Sequence, residues 1–254
     1  MWLEAGLWGL VGGSALVLGA AIGWSTNLPQ RLIAGVMALG SGVLVSAVAF
    51  DLMDEAFRAG GYVATASGFL IGGFAYTVAN VIISSRGARH RKRSGEPGTQ
   101  EQRSGAGMAS GGAGLAIAIG ALLDGIPESV VIGVSLVAGE GVSAVMVAAV
   151  FLSNVPEGLS SAAGMKKAGR SAAYVFGVWG GIALASGLAA LLGNLLLADA
   201  PPAAIAVVTA VAAGAILAML VDTMIPEATE GTHDFSGLIA VVGFLIAFVL
   251  TKVA

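Results

Sequence analysis

The sequence predicts an all-α membrane protein of eight transmembrane helices, with both termini outside. Three observations predict it. The 254 residues are 57% hydrophobic and only 11% charged, whereas a soluble domain carries about 25% charged residues. The apolar residues fall into eight runs, each of roughly 20 residues or more, enough to cross about 30 Å of hydrocarbon. The basic residues collect in alternate loops, as membrane topology demands.

The runs cover Ala5–Trp24, Arg31–Arg58, Tyr62–Ser84, Gly107–Ala138, Val142–Lys167, Ser171–Ala198, Ala203–Glu230 and Phe235–Val253. Asn27-Leu28-Pro29 punctuates the first loop, Gly60-Gly61 the second and Pro201-Pro202 the sixth. The first run carries Glu4 and has no basic residue ahead of it, so it reads as a retained helix and not a cleaved signal peptide. The one long polar stretch, Ser85–Ser104, contains Arg89-His90-Arg91-Lys92-Arg93. It reads as a flexible cytoplasmic loop at about 85–106 within a single domain spanning 1–254. Its charge reads as a topology determinant, not a nucleic-acid patch.

An outside N-terminus places Arg31, Arg86, Arg89, Arg91, Lys92, Arg93, Arg103, Lys166, Lys167 and Arg170 in cytoplasmic loops, 10 of the 12 Lys and Arg residues. Only Arg58 and Lys252 fall outside. The 39 glycines serve close helix packing in lipid. Such faces suit packing inside one subunit and a homodimer equally. Cysteine is absent, which excludes disulfides and thiolate metal sites.

The chain also matches itself. Ser41–Ala56 aligns without a gap on Ala213–Ala228, with Gly42 on Gly214, Glu55 on Glu227 and Ala56 on Ala228. The second run crosses inside to outside and the seventh outside to inside. Runs 1–3 and 6–8 therefore read as an inverted pair around central runs 4 and 5, a 3+2+3 arrangement. Inverted repeats with binding near the midplane are a transporter design.

The two central runs carry a second match. Leu123-Asp124-Gly125-Ile126-Pro127-Glu128-Ser129 aligns on Leu152-Ser153-Asn154-Val155-Pro156-Glu157-Gly158. An ionisable residue at mid-membrane is costly and marks an ion or substrate path by default. Asp124 and Glu128 stand four apart, one turn along the same helix face. Ser153 and Glu157 repeat that spacing. Pro127 and Pro156 lack the N–H that would bond the carbonyls of Leu123 and Leu152. If the two runs face each other, they supply three carboxylates (Asp124, Glu128, Glu157), the Asn154 amide, the Ser153 hydroxyl and two freed carbonyls. That donor set suits a divalent cation, which offsets the cost of burying the charges. Two other readings stay open. The motifs could serve only to kink helices around protonated glutamates, or the carboxylates could relay protons or sodium.

With these residues in view, the chain resembles the ZIP family of divalent-metal transporters over essentially its whole length. The family's helix 4 motif is His-Asn-x-Pro-Glu-Gly, and its helix 5 motif is His-x-x-Pro-Glu-Gly. Here they read Asp124-Gly125-Ile126-Pro127-Glu128-Ser129 and Ser153-Asn154-Val155-Pro156-Glu157-Gly158. The resemblance implies that Glu128 and Glu157 bridge a binuclear centre. Asp124 and Ser153 would stand where the family often has histidine, and Asn154 at a second-site ligand position. Gly125 offers no side chain where the family has asparagine. Both usual histidines are missing, no acid appears in the sixth run, and the loop between runs 3 and 4 holds only His90. An oxygen-only site shifts preference from Zn²⁺ towards Mn²⁺ or Fe²⁺. The resemblance thus implies a multi-pass plasma-membrane protein that carries zinc, iron or manganese towards the cytoplasm. The metal is substrate, and neither an organic cofactor nor an ATPase subunit nor a nucleic-acid partner is implied. A non-transporting metal-binding relative is the alternative.

The remaining polar residues divide. Asp51, Asp54 and Glu55 read as a cation funnel at the outer end of the second run, or as a solvated helix end. Asp222 and Glu227 read as a release path at the cytoplasmic end of the seventh run; Glu230, His233 and Asp234 read as loop residues. Asn80 and Asn194 are expected in interhelical hydrogen bonds, and Tyr76 in packing or as an interface anchor. Enzyme chemistry finds no footing: there is no His-Glu-x-x-His, and Leu184-Ala185-Ser186-Gly187 lacks the glycine that opens a nucleophile turn.

Overall fold

The computed structural model describes residues 1–85, 112–137, 144–232 and 234–253. Every regular element among them is helical. The basic cluster Arg89–Arg93, His90 and the rest of the expected cytoplasmic loop from 86 onwards lie outside the described residues, as does His233. The helices are α1 (Trp2–Ser25), α2 (Gln30–Ala47), α3 (Met53–Ile83), α4 (Gly112–Ser135), α5 (Ala144–Lys167), α6 (Ala172–Leu197), α7 (Pro202–Met219), α8 (Ile225–Thr232) and α9 (Ser236–Val253). Five helical runs, Trp2–Ser25, Gln30–Ile83, Ala172–Leu197, Pro202–Thr229 and Ser236–Val253, are long and apolar enough to cross a membrane. The chain is a multi-pass membrane protein.

The turns follow the local chemistry. Gln30–Ile83 is 54 residues of nearly unbroken helix, which would run about 80 Å if straight. It doubles back at Gly61, whose φ of +70° is open to glycine and strained for other residues. Pro29 and Pro201 precede α2 and α7 in extended conformation, and Pro202 opens α7 where no backbone donor is needed. Gly169, at φ +75°, ends α5, and Ser171 caps α6 by accepting from the Tyr174 N–H at 3.2 Å. Lys166 reaches from the end of α5 to the end of α1, where its ammonium donates to the Trp24 carbonyl at 2.6 Å. A cation suits the negative end of that helix.

Two helices contain a single π turn: Val48–Leu52 joins α2 to α3, and Leu220–Met224 joins α7 to α8. Val48 and Leu220 are separated by the same 172 positions as Ser41 and Ala213, the first residues of the sequence match. The two matched stretches therefore share the same backbone irregularity at the same place. Inserted π turns of this kind recur at functional positions in helices.

Packing sorts the helices into two units. In one, α1 packs against both α5 and α6, and α6 packs against α4. In the other, α3 packs along α7, while α2 packs along α9 and against α8. The units meet mainly where α2 touches α5 and where α4 touches α7. This grouping differs from the sequence expectation of three-helix repeats flanking a central pair, because α1 and α6 side with α4 and α5. The central helices also touch each other only locally. Small residues explain the choice of partners: a Cβ at Gly214 would collide with the Phe69 carbonyl, and one at Gly42 with the Ala240 carbonyl. These two glycines occupy matched positions and hold the α3–α7 and α2–α9 contacts in turn.

The packing argument predicts that Gly214→Leu lowers the thermal midpoint of the detergent-solubilised protein, with a cost of about 1–3 kcal/mol or more from overpacking. Gly177→Leu is the control, since nothing lies within 4 Å of a Cβ there, and its midpoint stays at the wild-type value. Equal midpoints for the two variants would contradict the assignment.

Candidate functional site

Both Pro-Glu segments lie inside continuous helix, Pro127 in α4 and Pro156 in α5. Their polar residues are deeply buried: Asp124 is 0% exposed, Glu128 1%, Ser153 1%, Asn154 3% and Glu157 4%. Burial of carboxylates at this depth is costly without compensation. It is the strongest feature that the site shares with the sequence expectation.

Each side chain has a definite environment. Asp124 accepts a hydrogen bond at Oδ1 from the Tyr76 hydroxyl of α3, at 2.6 Å. The Asn154 amide donates to the Gly12 carbonyl of α1 at 3.0 Å. The Ser153 hydroxyl donates back to the Val150 carbonyl of its own helix at 2.9 Å, which leaves the oxygen's lone pairs as its remaining capacity. Gly40 of α2 sits against this part of α5: a Cβ there would come within 3.1 Å of Pro156 Cγ and 3.4 Å of Ser153 Cα. The second π turn closes the same spot, with the Met224 methyl 3.5 Å from that position.

Among the described residues no three His, Cys, Asp or Glu side chains gather at metal-binding spacing. Asp124, Glu128 and Glu157 thus do not form one carboxylate cluster here. The physical reason is the packing already described: α4 is held by α6, α5 is held by α1, and the two Pro-Glu helices meet only locally.

The outlying acids separate into two kinds. Glu227, at the start of α8, is 3% exposed and accepts a hydrogen bond from the Ser160 hydroxyl of α5 at 2.9 Å. Ser160 is three residues on from Glu157, on the same face of α5, so Glu227 belongs with the buried residues. Asp222 lies exposed on the second π turn, where the Asn80 amide of α3 donates to it at 3.1 Å. Asp51 lies half-buried on the first π turn, within 3.4 Å of the Thr251 hydroxyl of α9. Asp54 pairs with Arg58 at 2.6 Å, and Glu55 is half-buried beside it. A groove of about 590 Å³ opens here, lined by Phe50, Asp54, Arg58, Tyr62 and Lys252 among others. The groove brings two cations, Arg58 and Lys252, beside one acid, Asp54.

Sequence reasoning missed two residues. Tyr76, expected in packing or as an interface anchor, does pack in the apolar core, and its hydroxyl also bonds Asp124, a role not foreseen. Ser160 had a signal available, its i+3 spacing from Glu157, whereas Tyr76 had none. The two asparagines do make interhelical bonds: Asn80 to Asp222, and Asn194 to the Gly133 carbonyl at 3.1 Å.

The chain matches no protein-family model and no curated protein sequence.

Proposed function

We propose that this protein moves a divalent transition-metal ion, zinc, iron or manganese, across the membrane towards the cytoplasm, as a divergent ZIP-type transporter. The observation that carries the reading is the burial, at 4% exposure or less, of four carboxylates on α4, α5 and α8, in a membrane protein whose apolar interior would otherwise exclude them. Two of them, Glu128 and Glu157, follow prolines whose missing N–H deprives the carbonyl one turn earlier, of Leu123 or Leu152, of its helix donor. Oxygen donors of this kind suit hard or borderline divalent ions. In this reading Asp124, Glu128, Ser153, Asn154 and Glu157 contact the ion during its passage. The site forms transiently as the two helix units move, since no three acids gather in the arrangement described above. Asp222 and Glu227 would line the inner end of the path, and Asp51 the outer end.

The same proposal includes eight crossings in which runs 1–3 and 6–8 are related as inverted repeats, though they do not flank runs 4 and 5 as separate three-helix units, with both termini outside and residence in the plasma membrane. The matched π turns and the matched glycines Gly42 and Gly214 support the repeat. The ion would be substrate, with no catalytic step and no organic cofactor. A proton or sodium pathway is the second reading. It is favoured by one observation: Asp124 and Glu227 each bond a hydroxyl group, which suits proton exchange as well as ion exchange.

Purified wild-type protein in liposomes takes up Mn²⁺, Zn²⁺ or Fe²⁺ down a gradient, and the Glu128→Ala/Glu157→Ala double variant loses at least nine-tenths of that flux. Proton flux without metal flux would select the second reading; equal metal flux in both proteins would sink the site.

Because the chain has no cysteine, topology is testable with single substitutions. Lys167→Cys labels with a membrane-impermeant maleimide only from the cytoplasmic side, and Asp199→Cys only from the outer side. The reverse pattern would overturn the outside termini.

A further inference from the structure

Two hydrogen bonds cross from one helix unit to the other between side chains. Tyr76 of α3 donates to Asp124 of α4, and Ser160 of α5 donates to Glu227 of α8. The two bonds share one chemistry. In each, a neutral hydroxyl donates to an oxygen of a carboxylate that is buried, Asp124 at 0% and Glu227 at 3% exposure. In each, the donor sits on one unit and the acceptor on the other. Tyr76 itself is 2% exposed and Ser160 0%, so water does not readily replace either donor.

A hydroxyl that donates to a carboxylate occupies one of the roughly four lone-pair sites that a cation would also draw on, and it fixes the direction in which the carboxylate points. Hydrogen bonds to charged acceptors are among the strong ones. We propose that Tyr76 and Ser160 are positioning residues that act as displaceable latches. Each holds its carboxylate, and with it the boundary between the two units, while no ion is bound. A divalent cation that takes Asp124 or Glu227 releases the hydroxyl and unlatches that boundary. The inference rests on the transport reading above and adds how occupancy is coupled to freedom of movement.

The geometry makes a prediction that a merely structural role would not. Loss of a packing or anchoring contact weakens ion binding; loss of a competitor tightens it. Tyr76→Phe keeps the ring and removes only the donor. Equilibrium Mn²⁺ binding to the purified full-length chain, read from the electron paramagnetic resonance signal of the free ion, tightens about tenfold in Tyr76→Phe, the equivalent of about 1.4 kcal/mol. Ser160→Ala tightens it several-fold, and the maximal uptake rate in liposomes does not rise in step with affinity in either variant. Wild-type binding with unchanged or weaker affinity in the variants would overturn the latch alone. A wild-type chain that binds neither Mn²⁺ nor Zn²⁺ would overturn the transport reading as well. If Tyr76→Phe fails to give a folded protein by its thermal midpoint, the Ser160→Ala comparison decides.

Discussion

The constraint on which the rest depends is the burial of charge. Asp124, Glu128, Glu157 and Glu227 lie at 4% exposure or less inside a membrane protein, where an uncompensated carboxylate is among the most expensive groups a fold can hold. Every polar partner described around them answers that cost. Tyr76 and Ser160 supply hydroxyl donors, and the helices that carry the acids are pinned by their own interhelical bonds, Asn154 to Gly12 and Asn194 to Gly133. These partners come from four different helices. The site therefore depends on tertiary packing and not on the Pro-Glu segments alone.

That packing is in turn governed by small residues. Lipid tails are as apolar as leucine, so helix association in a bilayer relies on close van der Waals contact and hydrogen bonds, not on burial from water. Gly42 against Ala240 and Gly214 against Phe69 bring backbones together where any side chain would collide. The result is two groups of helices that meet where α2 touches α5 and where α4 touches α7. Across that boundary run the two hydroxyl–carboxylate bonds. The same boundary also has a close glycine contact, Gly40 of α2 against Pro156 and Ser153 of α5.

Much of this was legible in the sequence. The helical class, the turn at Gly61, the break at Pro29 and Pro201, and the burial of the Pro-Glu acids all follow from local chemistry: runs of apolar residues, glycine's tolerance of positive φ and proline's missing donor. The match of Ser41–Ala56 to Ala213–Ala228 also pointed to the two stretches that share a π turn. What was not legible is which helix chooses which neighbour. Composition makes every helix a candidate partner for every other in an Ala/Gly-rich chain, so the placement of α1 and α6 beside α4 and α5 could not be read. Tyr76 packs as expected, but its bond to Asp124 was hidden for the same reason. A tyrosine in an apolar run looks like packing until the fold brings a carboxylate to its hydroxyl.

Under the proposed transport reading, the departures from the ZIP pattern have a physical sense. A histidine at position 124 or 153 would be a neutral ligand with a smaller desolvation cost, its second ring nitrogen held by a partner of its own. Aspartate at 124 is charged when it binds and therefore needs a partner when it does not. Tyr76 meets that need, and its distance of 2.6 Å places it among the short, charge-assisted bonds. A carboxylate in place of imidazole thus brings two requirements together: a harder donor for the ion, and a donor from a second helix for the empty state. In the proposed transport reading, the second requirement would tie ion binding to the contact between units, and Asp124 would be the residue at which the chemistry of the ion and the mechanics of the fold meet.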